Sequence, residues 1–241
     1  MMKDFRSNAF FAITNFVTIL NLVFGFLSIL YSVNGEWINA ALCIFYAAVF
    51  DALDGKVASY LKAYSDFGVE FDSICDVVSF GVAPSLLLLY YFEMNTSVWV
   101  MLFAGFPLFA GAIRLARFNS TLTSYDKRFF IGLPITSSAL TIAAYILGIE
   151  KNMITFDDGM LKYIAYGMIV LLSFLMLSSI KYFVIPKFKK HGLIKFAALS
   201  IVIVALVTYY KWLLFPFLMV FILSGILRYL WFAITGKGRT S

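Results

Sequence analysis

Eight apolar runs, each long enough or nearly so to cross a bilayer, limit what this chain can fold into more than any other feature. They lie at about 9–32, 37–53, 70–92, 96–116, 132–149, 160–183, 194–209 and 212–234, with mostly short connections between them. A bilayer's hydrocarbon core takes about 20 residues of helix. Backbone polar groups inside it must be satisfied within a helix or a closed barrel. The runs are continuous rather than alternating, so they favour helices over barrel strands. The expected fold is an all-α integral membrane protein with about eight transmembrane helices.

Composition supports this. Of 241 residues, 62% are hydrophobic and 13% charged, whereas a soluble domain sits nearer half apolar and a quarter charged. A net charge of +6 would suggest nucleic acid in a soluble protein. Here the placement of the charges matters more, and no nucleic-acid partner is expected. With the N-terminus in the cytoplasm, 16 of the 19 Lys and Arg residues fall on the inner side, from Lys3 and Arg6 to Lys237 and Arg239. Only Lys151, Lys162 and Lys211 fall outside. That asymmetry predicts that both termini are cytoplasmic and that the protein sits in the cell membrane, in contact with its lipids.

No internal repeat or linker marks a second domain, so residues 1–241 are read as one. The leader MMKDFRSNAFF fits either a short interfacial helix or a solvated lead-in to the first span. The first run lacks a small-residue cleavage motif, so no removable signal peptide is expected. Cys43 and Cys75 have no paired spacing and read as buried free thiols. His191, within KKHG, reads as a solvated loop residue, and Trp99, Trp212 and Trp231 as interfacial belts.

One stretch breaks the apolar pattern. DALDGKVASYLKAYSDFGVEFDSICD, residues 51–76, holds five of the chain's nine aspartates. Asp51 and Asp54 are spaced i,i+3, and Asp72 and Asp76 are spaced i,i+4, so each pair shares one helix face. The first pair closes the second run and the second pair opens the third, so the loop between can bring them together. Carboxylates in a membrane helix cost about 2.5–3.5 kcal/mol each near its centre, and four of them repel one another. A divalent cation offsets most of that penalty. All-oxygen ligation without His or Cys points to a hard ion, Mg²⁺ or Mn²⁺. The plainer alternative is that acids cap helices and solvate a loop, which is the reading for Asp66 and Glu70 at the start of the third helix. Gly55, Ala58 and Gly68 lie among the aspartates. Glycine inside a helix costs about 1 kcal/mol, which suggests that backbone or ligand approaches closely there.

The pattern Asp51-x2-Asp54-Gly55-x2-Ala58, then Gly68-x3-Asp72-x3-Asp76, resembles the signature of the CDP-alcohol phosphatidyltransferases, membrane enzymes that move a phosphatidyl group from a CDP-linked lipid to an alcohol. Seven of the signature's eight fixed positions are kept. The departure is Ser59, where the family usually carries arginine near the substrate's phosphates; Lys56 and Lys62 are the nearby candidates to supply that charge. Further stretches are similar to the family's bacterial and archaeal membrane-integrated phosphatidylserine synthases: DVVSFGVAPS at 76–85, RLARFN at 114–119, GLPI at 132–135, and Asn15, Thr18, Asn21 and Gly25 in the first span. The resemblance implies a catalytic core at about 10–140, with additional helices at about 160–234, and a homodimer.

It also implies a reaction. The hydroxyl of L-serine attacks the lipid-side phosphorus of CDP-diacylglycerol and CMP leaves. Asp51, Asp54 and Asp72 are then the metal ligands, and Asp76 is the general base and a possible contact to a second ion. The implied CDP-lipid contacts are Asn15, Thr18, Asp54, Gly55, Ala58, Ser59 and Gly68. Asn15 and Thr18 are equally placed to bond a neighbouring helix. Arg114 and Arg117, spaced i,i+3, would grip the acceptor's carboxylate or a phosphate, or else serve as ordinary positive-inside anchors. Two other readings stay open. One is a related enzyme using glycerol 3-phosphate or an inositol phosphate. The other is a cation transporter, which would often show related halves.

Overall fold

Apolar helix needs a tight way to reverse, and the first turn of the chain shows how this is done. Helix α1 (Met2–Val33) ends at Asn34-Gly35, and α2 (Trp37–Leu61) runs back along it. Gly35 sits at φ +76°, the left-handed region that glycine enters without a Cβ penalty. The Glu36 N–H donates to Tyr31 O at 2.9 Å and the Gly35 N–H to Ser32 O at 3.3 Å. That pair of bonds is the Schellman arrangement, which satisfies the last carbonyls of α1. The leader residues from Met2 onward continue into α1 as one helix.

In this computed structural model the described residues are 2–61, 65–94, 97–121, 129–183 and, between 215 and 227, 215, 218–220, 222–225 and 227. After α2 come α3 (Asp66–Asp76), a π-helical segment (Val77–Val82) and α4 (Ala83–Tyr91), which together form one long rod. The π segment is marked by the Ala83 N–H donating to Val78 O, five residues back. Pro84 follows at once. Its ring crowds the carbonyl four residues earlier, and a widened turn directly ahead relieves that crowding. Helices α5 (Val98–Ala104) and α6 (Phe106–Thr121) meet at a 46° bend, where Gly105 and Pro107 interrupt the hydrogen-bond ladder. Helix α7 (Ile135–Glu150) runs back, and α8 (Asp158–Leu177) returns.

The chain is a helical membrane protein. Among the described residues four helices are long and apolar enough to cross a bilayer, and five if α5 and α6 form one bent span. Helix α7, at 16 residues, reaches only about 24 Å. The expected runs at 194–209 and 212–234 lie outside the described residues, apart from the helical positions between 215 and 227, and so does His191. Cys43 and Cys75 are free and buried, as expected.

Three boundaries differ from the sequence reading. Helix α2 does not close at Asp54 but continues to Leu61, because Ala52, Leu53, Lys56, Ala58 and Leu61 are strong helix formers that carry it past Gly55. Helix α3 begins at Asp66, and its cap is Ser65, whose Oγ accepts from the Gly68 N–H at 3.0 Å. Asp66 stands in the first turn, where an acid complements the helix N-terminus as expected, and the Ser65 hydroxyl supplies the cap. Finally, α8 stops at Leu177. Ser178 and Ser179 break it, and Lys181–Phe183 pairs antiparallel with Phe129–Ile131. This small β1–β2 ribbon is the departure from an all-α fold, built of aromatic and β-branched residues that suit strands.

The core lies where α2 crosses α7. Ala40, Ala41, Ile44 and Ala47 of α2 and Ala139, Ile142, Ala143 and Ile146 of α7 are wholly inaccessible. Small residues let two backbones approach, which is how helices associate without a hydrophobic drive inside lipid. The same device recurs where α1 meets the π segment. A Cβ at Gly25 would stand 2.7 Å from Ser79 Cα, so only glycine fits. The Ser79 hydroxyl donates across that contact to Asn21 O at 3.1 Å.

Candidate active site

Helix α2 brings Asp51 and Asp54, and α3 brings Asp72 and Asp76, to the end of the bundle where α2 stops and α3 starts. One carboxylate oxygen from each of Asp51, Asp72 and Asp76 comes within 4.8 Å of the others. At that separation two unit charges repel by roughly 3.5 kcal/mol for an effective dielectric of about 20, so three together call for a positive charge among them. Asp54 stands beside this group rather than in it. It is only 4% exposed, and its Oδ2, like Asp72 Oδ1, is buried without a hydrogen-bond partner.

The donors that do reach the carboxylates come from α1. The Thr18 hydroxyl stands near Asp54 and donates to Thr14 O at 3.2 Å. The Asn21 amide donates to Asp76 Oδ1 at 3.1 Å, fully buried. Among the described residues Asp54 Oδ2 and Asp72 Oδ1 are still left over, and buried polar groups normally find partners. Oxygen-only donors, crowded and under-satisfied, fit a hard divalent cation. Asp51, Asp72 and Asp76 would hold it, with Asp54 adjacent.

One side of this cluster is open. Among the described residues nothing lies within 4 Å of where a Gly55 Cβ would be. Ser59 is exposed and Ala58 half-buried. A Gly68 Cβ would stand 3.9 Å from Asn15 Oδ1, so Asn15 reaches the first turn of α3. Gly55, Ala58 and Ser59 follow Asp54 along α2, and Gly68, beside Asn15, precedes Asp72 by four residues on α3.

The two arginines of α6 diverge. Arg114 is buried, and its guanidinium is close enough to Asp76 to feel that charge. Arg117 is exposed and donates to Leu177 O at 3.3 Å and Ser178 O at 3.4 Å, where a cation suits the C-terminus of α8. A turn further on, the Asn119 amide donates to Ser73 Oγ at 2.9 Å and ties α6 to α3.

Asn21 had no role assigned from its residue type alone. Its signal was positional: it lies three residues after Thr18 and four before Gly25, on the face of α1 that also carries Ser28 and Ser32. Asn21, Ser28 and Ser32 are all fully buried.

Residues 11–177 match the family model described as CDP-alcohol phosphatidyltransferase. The chain belongs to the CDP-alcohol phosphatidyltransferase family. It is 37% identical over 183 residues to the CDP-diacylglycerol–serine O-phosphatidyltransferase of Helicobacter pylori, covering 76% of this chain and 75% of that protein. It is 38% identical over 189 residues to the protein of the same name from Methanocaldococcus jannaschii, covering 78% and 81%. It is 35% identical over 185 residues to the archaetidylserine synthase of Methanothermobacter thermautotrophicus, covering 76% and 74%. All the geometry above, apart from contacts at Ser178 and beyond, falls within the part of the chain that the family model matches.

Proposed function

We propose that this CDP-alcohol phosphatidyltransferase transfers the phosphatidyl group of CDP-diacylglycerol to the hydroxyl of L-serine, giving phosphatidylserine and CMP. The observation that carries the reading is the meeting of Asp51, Asp72 and Asp76 in one cluster, in a chain whose relatives are named for this serine transfer.

Mg²⁺ or Mn²⁺, when bound, supplies neutralisation of the diphosphate's charge. Asp51, Asp72 and Asp76 would hold it, with Asp54 adjacent. The chain's own residues do the rest. Asp76 accepts the serine hydroxyl proton as its oxygen bonds to the lipid-side phosphorus and the bond from that phosphorus to the CMP oxygen breaks. Gly55, Ala58 and Gly68 leave room for the cytidine and diphosphate. Asn15 and Ser59 border that space, and Thr18 acts there by orienting Asp54. Arg114 faces Asp76 from α6 and meets the serine carboxylate, while Arg117 supports the site from the end of α8.

The arginines favour serine over a phosphate-bearing acceptor. An anionic sugar or glycerol phosphate calls for several guanidinium or ammonium groups, whereas one of this pair is engaged by the carbonyls of α8. The positive-inside asymmetry supports a site and termini on the cytoplasmic side of the cell membrane. The unit is a single domain, 1–241, with its core at about 10–140, and it works as a homodimer among membrane lipids.

The test is CMP release by the purified protein from CDP-diacylglycerol with Mg²⁺ or Mn²⁺, and with serine, glycerol 3-phosphate or inositol phosphate as acceptor. Serine-dependent release with a labelled lipid product is expected. Release with another acceptor alone would overturn the assignment.

A further inference from the structure

Asn21 sits in the middle of an apolar span, where an amide needs a reason. It is 0% exposed, and its Nδ2 donates to Asp76 Oδ1 at 3.1 Å. Its Oδ1 has no hydrogen-bond partner. Among the described residues the side chain therefore makes one hydrogen bond, to the carboxylate read above as the general base. An amide serving only to join helices would find partners for both its ends more readily, since polar residues between membrane helices gain by pairing.

The backbone beneath it is locked. Asn21 O accepts from the Ser79 hydroxyl, and one turn later Gly25 leaves space for no side chain against Ser79. Ser79 lies three residues after Asp76, so the donor and the carboxylate it holds are fastened to each other through two neighbouring contacts.

We propose that Asn21 is a positioning residue. Its amide fixes the plane of the Asp76 carboxylate, so that one oxygen is held by the N–H and the remaining lone pairs are aimed at the cation and the acceptor's proton. This rests on Asp76 having the base role proposed above. Partners of this kind around metal-binding carboxylates typically contribute 10–100-fold in metal affinity or activity.

The test uses the full chain purified in detergent. Asn21→Leu keeps the approximate shape and removes the donor; Asn21→Ser, smaller and with a hydroxyl too short to reach, serves if the leucine variant does not fold. Mn²⁺ affinity is read by EPR titration without substrate, in the native and Asp76→Asn backgrounds, alongside kcat and the KM for CDP-diacylglycerol. The expected result is a kcat lower by about 10–100-fold with that KM within about twofold. Mn²⁺ binding should weaken in the native background and show no further change once Asp76 is Asn. Unchanged kcat and Mn²⁺ affinity, equal losses of affinity in both backgrounds, or a loss of thermal stability alone would each overturn the proposal. Turnover surviving in Asp76→Asn itself would instead remove the base reading, and the role of Asn21 with it.

Discussion

At the end of the bundle away from the aspartates, Glu150 accepts a 2.9 Å hydrogen bond from the Tyr91 hydroxyl. Tyr91 in turn packs edge-on against Trp37 and Phe92, and the Tyr145 hydroxyl donates to Leu161 O at 2.8 Å. There, one half-buried carboxylate meets a donor from its own chain, inside an aromatic collar. At the other end four carboxylates meet Thr18 and Asn21, and two of their oxygens are buried without a partner. Both regions bring polar groups into an apolar bundle. One is internally complete and the other is complete only when something enters. That difference separates a structural polar cluster from a reactive one better than burial alone does.

The comparison can be broken most sharply at its two key oxygens. Asp76→Asn should lower turnover by about 10²–10⁴-fold, the usual scale for a lost general base, while Tyr91→Phe stays within about twofold in the same CMP-release assay. Comparable losses in both would erase the distinction.

Metal should act on one region only. Mn²⁺ at 100 times its Kd should stabilise the protein by about 2.7 kcal/mol, seen as a rise in Tm. The rise should vanish in an Asp51→Asn, Asp72→Asn double variant and persist in Tyr91→Phe. A rise that survives the double variant would place the ion elsewhere.

Within α6, Arg114→Met keeps the stem and removes the charge. It should raise the serine KM by about tenfold or more, as for a lost charge-assisted bond worth about 1.5–3 kcal/mol. Arg117→Met should leave that KM nearly unchanged and lower stability by about 0.3–1 kcal/mol, the value of a cation at a helix C-terminus. A larger serine effect from Arg117 would reverse the division of labour. At the quiet end, Tyr91→Phe should cost about 1 kcal/mol of stability for its hydrogen bond, measured by thermal unfolding, and nothing in turnover.

Much of the site was legible because aspartate spacing carries geometry. At i,i+3 and i,i+4 each pair had to share a helix face, and an oily chain had to bring the pairs together. Six of the eight apolar runs fall on α1 to α8 for similar reasons of length, with the third run divided between α3 and α4 and the fourth between α5 and α6. What stayed hidden depended on contacts between distant segments. Nothing local distinguishes Arg114 from Arg117; their fates are decided by whether Asp76 or the end of α8 lies opposite. Asn21 needed Asp76, 55 positions away, to become more than a polar residue in a span. The β1–β2 ribbon pairs residues about 50 apart, and apolar periodicity cannot report such pairing. Helix α2 runs past Asp54 to Leu61 because helix propensity there outweighs the break in apolar character.

The π segment Val77–Val82 has a further consequence. Each residue of a regular helix turns the next by about 100°, so one widened turn resets the angular phase of everything beyond it. The aspartate half of this rod and the half packed against α2 and α7 are therefore out of step with an unbroken helix. Regular winding of the same six residues would add about one residue's turn, about 100°, and swing Asp72 and Asp76 round relative to Ala83–Tyr91, whereas deleting one residue while restoring regular winding would nearly keep their phase. The rod works as a coupling with a fixed offset, and changing that offset would disarm the cluster without altering any of its members.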